Sequence, residues 1–296
     1  MSDENGPPMT APPLGTGGRS DASVVTQFFL LPLAVVAGLV GVFLLFTMAT
    51  RHPPTARDHL KTLGSGRFNQ RWQAAFELSN LLRDGIGIKD APAFLPDLVR
   101  VFRKSAADPK EDPRVRRYLA LALGNSGSRE AVSPLMEAVR GKDSETRLYG
   151  LWGLSRLGAP EAEPAFREGL KDEDPSIRSI SAYGLGILPG SVDPGDIEKA
   201  LLDPVAEVGW NAALALARRG NPAGERVLEQ LLDRKYLDRF PSMDAAEKSA
   251  TILNALRAIK YLKINGLDEK IRQMAESDPD RRVREAALAC LEEPGP

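Results

Sequence analysis

The residues able to do chemistry in this chain are few, and their spacing works against catalysis. The two histidines, His52 and His59, stand together near one end, so no triad, dyad or zinc cluster built on histidine can be assembled from the rest. The densest acidic run, Asp172-Glu173-Asp174, has the residue types of an acid and a base, but it lies in a turn where solvated carboxylates are ordinary. Cys290 is the single cysteine, which excludes an intramolecular disulfide and suits a small buried residue better than a tuned thiol. Gly184-Leu185-Gly186 has neither the GxGxxG nor the GxxxxGK[ST] spacing of a phosphate loop, and it falls inside a helical segment where glycine permits close packing. No catalytic residue, metal ligand or cofactor follows from these groups. The sequence predicts binding without turnover, not an enzyme.

Recognition chemistry is better represented. Tyr118, Tyr149, Trp152, Tyr183 and Trp210, with Arg117, Arg156 and Arg218 near them, are the side-chain types in which interface hot spots are rich. A repeat of 31 residues positions them. Val115-Arg116, Thr146-Arg147, Ile177-Arg178 and Val208-Gly209 begin four copies, with Ala120, Leu151, Ala182 and Ala213 at offset five and Leu123, Leu154, Leu185 and Leu216 at offset eight. Offsets 0, 4, 5 and 8 share one side of a helix, the stripe expected of an amphipathic helix packed on neighbours. Gly127, Gly158 and Gly220 recur at offset twelve, where a left-handed C-cap favours glycine. A second helix follows in each copy, marked by Leu135 and Val139, Phe166 and Leu170, Ile197 and Leu201, then Leu228 and Leu232. A unit that cannot bury its apolar face alone must stack on its neighbours, which makes a solenoid. Offsets 3 and 6 point away from the core, and there the chain places Tyr118 and Leu121, Tyr149 and Trp152, Ile180 and Tyr183, Asn211 and Leu214. This ridge is the expected site for a protein partner; the competing expectation is that its aromatics bury themselves between neighbouring helices or against the insertions.

Asp112-Pro113, Asp174-Pro175, Asp203-Pro204 and Asp278-Pro279 punctuate the chain before long helices, an arrangement that suits helix starts. Asp112 with Arg116, Asp143 with Arg147, Asp174 with Arg178, and Asp280 with Arg284 all stand four apart, a spacing that suits a helix-start acid beside a solvated base. The order aspartate-proline, valine-arginine, alanine, leucine-glycine resembles HEAT repeats, particularly the short HEAT-like type of bilin lyases. The resemblance covers most of 68–293, less exactly around Arg71, Ala75 and Leu78 and around Val283–Leu291, with an imperfect copy over Lys248–Met274 and insertions near 83–112 and 233–245. It implies an all-α, right-handed, armadillo-like α-solenoid of helix pairs whose aspartates and arginines connect into a structural ladder, interrupted at Gly209. It also implies that partners bind the concave face. An alternative function comes with it: a bilin-lyase-like enzyme or tetrapyrrole-binding protein, in which a solenoid holds a tetrapyrrole for attachment to a cysteine of another protein and the ridge aromatics line the pocket.

Ala22 to Thr50 contains no charged residue. As a helix, Phe28 to Met48 spans ~31 Å, which matches a hydrocarbon core of roughly 30 Å. The sequence therefore predicts a single transmembrane helix over 24–50, behind a disordered tail at 1–23 and ahead of a basic juxtamembrane linker at 51–67 and a HEAT-like domain at 68–293. Arg51, Arg57, Lys61, Arg67 and Arg71 follow the span, which predicts a solenoid kept in the cytoplasm, an N-terminus outside, and contact of residues 51–71 with anionic lipid headgroups. Residues 51–120 carry 14 basic against 8 acidic side chains, an excess that sits beside this span and not on a binding face, so nucleic acid is not an expected partner. The expectation is a bacterial single-pass protein of the inner (cytoplasmic) membrane, an adaptor or scaffold within a membrane complex.

Overall fold

A computed structural model gives the structure of the protein over residues 31–50, 54–66, 68–85 and 94–292. The chain divides into two units, Met1–Pro53 and Pro54–Pro296. The first contains helix α1 (Leu31–Thr50). Among the described residues no helix is long and apolar enough to cross a membrane. The expected transmembrane helix is thus overturned, and the inner-membrane location, the orientation and the lipid contacts at 51–71 fall with it. The tail at 1–23 and His52 lie outside the described residues. Arg71, counted in the basic flank, instead pairs with the buried Glu111.

The second unit is an all-α solenoid of paired helices. α2 (Ala56–Ser65), inside the stretch expected as a linker, buries Ala56, Leu60 and Leu63. The longer helices are α3 (Phe68–Arg83), α5 (Pro113–Asn125), α7 (Ser144–Leu157), α9 (Pro175–Ile187), α11 (Ala206–Arg218), α14 (Ala245–Leu262) and α16 (Arg281–Leu291). Each packs on the next. Between them run α4 (Phe94–Ala107), α6 (Val132–Val139), α8 (Glu163–Gly169), α10 (Gly195–Ala200), α12 (Glu225–Leu231), the short α13 (Arg234–Leu237) and α15 (Asp268–Ser277). Apart from α13, each of these packs against the next longer helix, so the unit has two layers with the core between.

The repeat dictates that core. Val115, Leu119, Ala120 and Leu123 are buried, and so are Ile177, Ala182 and Leu185 and, in α11, Val208, Ala212, Ala213 and Leu216. Each leucine taken from water contributes about 1.5–3 kcal/mol. From the other layer, Leu135, Phe166, Ile197 and Leu228 close the same space. Asp112, Asp143, Asp174 and Asp280 cap the helices they precede, accepting from the backbone N–H of Arg114, Thr146, Ser176 and Arg282. Gly127, Gly158 and Gly220 end their helices at φ of 66°, 58° and 73°, the left-handed region that glycine enters without steric cost. The layer is tight because glycine faces backbone: a Cβ on Gly186 would stand 2.6 Å from Ala215 Cα.

An ion-pair ladder ties the repeats together, with a register the four-residue spacing does not give. Arg147 donates Nε and Nη2 to the two oxygens of Asp172, both at 3.1 Å. Arg178 does the same to Asp203 at 2.7 and 2.9 Å. The acid in each case lies five residues before the first core position of the following repeat, whereas Asp143 and Asp174 serve as caps. Each arginine also turns Nη1 onto carbonyls of the turn before its own helix, Gly141 and Lys142 for Arg147, Asp172 and Glu173 for Arg178. Arg284 clasps the Asp278 and Pro279 carbonyls likewise. Asp112 is held by Arg114 at 2.6 Å and Asp280 by Arg282 at 2.8 Å, each within its own helix start. After Gly209 the ladder resumes by substitution: Arg234 of the inserted α13 donates to both oxygens of Asp278 at 2.8 and 2.7 Å.

Candidate functional site

The outward face of the longer helices carries the aromatic and arginine side chains, because offsets 3 and 6 lie opposite the buried stripe. The structure separates them into two groups. Trp210 is 7% exposed; its ring packs edge-on against Phe240 and Tyr236, and its Nε1 donates to Tyr236 Oη at 3.2 Å. The inserted segment around α13 brings those partners and takes Trp210 out of the surface. Tyr118, Tyr149 and Tyr183 are half-buried, Tyr118 against the ring of Phe76. Trp152 is 40% exposed.

Arginines cover these rings one by one. The guanidinium of Arg117 lies 5.0 Å from the Tyr149 ring centre, that of Arg156 5.8 Å from Trp152, and that of Arg218 5.2 Å from Tyr183, contacts worth about 0.5–1 kcal/mol at exposed sites. Arg117 is anchored by Glu145; burial works against its charge, and the Glu145 carboxylate prevails and holds the guanidinium above its usual range. Among the described residues Arg156 and Arg218 have no carboxylate partner and no hydrogen bond, and each stands over its ring.

Between α7, α9 and α11, three of these residues, Trp152, Arg156 and Tyr183, line a cavity of about 650 Å³. Trp152, Ile180, Tyr183 and Val205 supply its apolar and aromatic walls, and Arg156, Ser179, Asn211 and Glu207 its polar groups. Asn211 is fixed from behind, donating to Ser179 Oγ at 2.7 Å and to the Glu207 carbonyl at 3.1 Å. A neighbouring cavity of about 310 Å³ between α11 and α14 is lined by Arg218, Arg257, Asn254 and the exposed Tyr261. Sequence spacing missed Arg257 and Tyr261, which stand a turn or more beyond the ridge offsets in the copy that lacks the ladder arginine. The volumes suit small-molecule sites, which are mostly apolar with a few placed polar groups. Among the described residues no group of three or more His, Cys, Asp or Glu is placed to hold a metal.

A family model described as HEAT repeats matches residues 99–186. Among solved structures, the complex of CpcE and CpcF of phycocyanin lyase from Nostoc sp. is similar to this chain at 20% identity, covering 82% of this chain and 88% of that one, with a TM-score of 0.56. The fold is a HEAT-like, armadillo-like solenoid. An Escherichia coli structural-genomics protein is similar at 17% identity over 79% of this chain and 81% of that one, with a TM-score of 0.52. No curated protein sequence matches the chain.

Two expectations change here. The membrane-held adaptor loses its anchor, since among the described residues no helix is long and apolar enough to cross a membrane. The expectation of a chain that is not an enzyme also fails: this architecture occurs in a phycocyanin lyase, so the fold does not exclude a part in catalysis.

Proposed function

We propose that the protein is a ligand-holding solenoid of the lyase-scaffold kind, which binds a flat, conjugated molecule bearing carboxylates, of the linear tetrapyrrole class, and presents it to a second protein. The observation that carries this is the cavity between α7, α9 and α11. Its Trp152 and Tyr183 rings offer stacking surfaces, Arg156 lines it over Trp152 without a carboxylate partner, Arg218 covers Tyr183 from the neighbouring cavity, likewise without one, and Glu207 lines the same wall as Tyr183. A linear tetrapyrrole presents what those groups can satisfy: an extended π-face, carboxylates for the guanidinium groups and pyrrole N–H donors for Glu207. Bidentate arginine–carboxylate pairing would fix its orientation. The chain's own part is to bind and orient.

The test is an absorbance titration of the purified protein with biliverdin. The expected result is saturable binding with a shifted absorption band, weakened at least tenfold in Trp152→Ala and in Arg156→Met. Biliverdin binding that is absent, or equal in both variants and the parent, overturns the reading.

A second reading, a protein partner on the same face at Tyr118, Tyr149, Trp152 and Tyr183 with Arg117, Arg156 and Arg218, has an observation of its own. The aromatic–arginine contacts run from α5 to α11, farther than one cavity, as an extended partner surface requires. Photocrosslinking from Tyr149, with Glu163 as the control position, tests it. A protein adduct formed from Tyr149 alone supports it, and equal labelling from both positions opposes it.

A further inference from the structure

Gly141 stands in the ladder where the following repeats place an acid. Counting five residues back from Thr146, Ile177, Val208 and Val283 gives Gly141, Asp172, Asp203 and Asp278, and the same step from Val115 gives Lys110. The three aspartates each accept both the Nε and Nη2 of an arginine. Gly141 has no side chain to offer Arg116. That arginine turns Nη1 onto its own turn as the others do, at 3.3 Å from the Asp108 carbonyl and 3.4 Å from that of Glu111. Its Nε–Nη2 edge makes no hydrogen bond among the described residues. The nearest acid on that side, Asp143, is 3.9 Å from Nη2 and is committed to Thr146, whose backbone N–H it accepts at 2.9 Å.

Arg116 lines a cavity of about 750 Å³, bounded by Phe102, Ala106, Pro109, Pro134 and Ala138 as well as by Gly141. The other charged groups lining it are Asp143, Arg103 with its partner Glu137 at 2.7 Å, and the exposed Lys142. The walls are apolar on several sides, and the volume is that of a small-molecule site. None of these residues lines the cavity around Trp152.

We propose that this cavity binds a small organic carboxylate with an apolar body, its two oxygens on the Nε and Nη2 of Arg116 where Asp172 and Asp203 sit on the arginines of the next two repeats. The ligand supplies the carboxylate that Gly141 lacks, and its apolar body fills the space between Phe102 and Pro134. Binding adds a hydrogen-bonded tie where Arg116 has only the 3.9 Å ion pair to Asp143, so it raises the melting temperature as well as occupying the site.

The experiment is calorimetric titration of the full chain with phenylbutyrate and with phenylbutyramide, which has the same body and no charge. A charge-assisted pair of this kind changes affinity about 10- to 100-fold, so the amide is expected to bind at least tenfold more weakly. Gly141→Asp installs the acid in the chain itself and is expected to abolish phenylbutyrate binding at a melting temperature equal to or above that of the parent. Gly141→Ala, which adds bulk without charge, is expected to keep binding. The proposal is overturned by equal affinity for acid and amide, by undiminished binding in Gly141→Asp, by loss in Gly141→Ala equal to that in Gly141→Asp, or by no binding of phenylbutyrate at any soluble concentration.

Discussion

Replacing Arg178 by methionine tests whether the ladder holds the solenoid together. The arginine makes four hydrogen bonds: Nε and Nη2 to Asp203 at 2.7 and 2.9 Å, and Nη1 to the Asp172 and Glu173 carbonyls at 2.9 and 3.0 Å. The two side chains are only 14% and 9% exposed. Methionine keeps much of the apolar stem but leaves Asp203 with one partner, the backbone N–H of Val205. Removing one member of a buried pair costs about 3–5 kcal/mol; the remaining exposure places this site at the lower end, about 3 kcal/mol. Asp203→Asn keeps an acceptor for Val205 and removes the charge, so a double-mutant cycle isolates the pair, with a coupling of about 2 kcal/mol expected from hydrogen bonds between charged groups. The assay is urea unfolding followed by far-ultraviolet circular dichroism. Arg103→Met is the control. Its bonds to Glu137 are as short, 2.9 and 2.7 Å, but both side chains are 51% exposed, and exposed pairs contribute little. If Arg178→Met lowers the unfolding midpoint no more than Arg103→Met does, the ladder is surface decoration and the reasoning is refuted.

Acid should weaken the same ties. The Arg178 bond holds Asp203 below the usual carboxylate range, and Asp172 is also lowered, burial opposing the shift and the Arg147 bond prevailing. Groups lowered on folding stabilise fully above their unfolded value, about 3.9, and lose that contribution as pH falls through the lower folded values. Melting temperature should therefore fall steadily below about pH 4, and less steeply in Arg178→Met; parallel curves would contradict the assignment. Gly186→Ala places a methyl 2.6 Å from Ala215 Cα and Cβ, an overpacking expected to cost about 1–3 kcal/mol in the same urea assay; a neutral result would mean that α9 and α11 can separate freely.

How much the sequence shows depends on which partner a residue meets. Offsets 0, 4, 5 and 8 are legible because a stripe that repeats on one helix face must be buried whatever lies opposite, and Val115, Ile177 and Val208 are. Gly127, Gly158 and Gly220 are legible because the left-handed cap is a local requirement. The ladder's arginines stand out by repetition, but their acids do not. Spacing of four draws attention to Asp143 and Asp174 inside one helix start, whereas the pairing runs to Asp172 and Asp203 in the next turn. The column Gly141, Asp172, Asp203, Asp278 was the available signal. Trp210 follows the competing expectation of burial against an insertion, and spacing alone could not choose it, since Tyr236 and Phe240 lie outside the repeat. The apolar run before Thr50 reads as a span by composition, but among the described residues no helix has the length and apolarity to cross a membrane.

The central claim is that the cavity between α7, α9 and α11 holds the ligand, and hydrogen exchange of the full chain with and without biliverdin tests it most directly. The account predicts slowed exchange over 148–156, 176–183 and 207–218, with the α14–α16 region unchanged and the effect lost in Trp152→Ala. Slowed exchange confined to other helices, or none at saturating biliverdin, would contradict it.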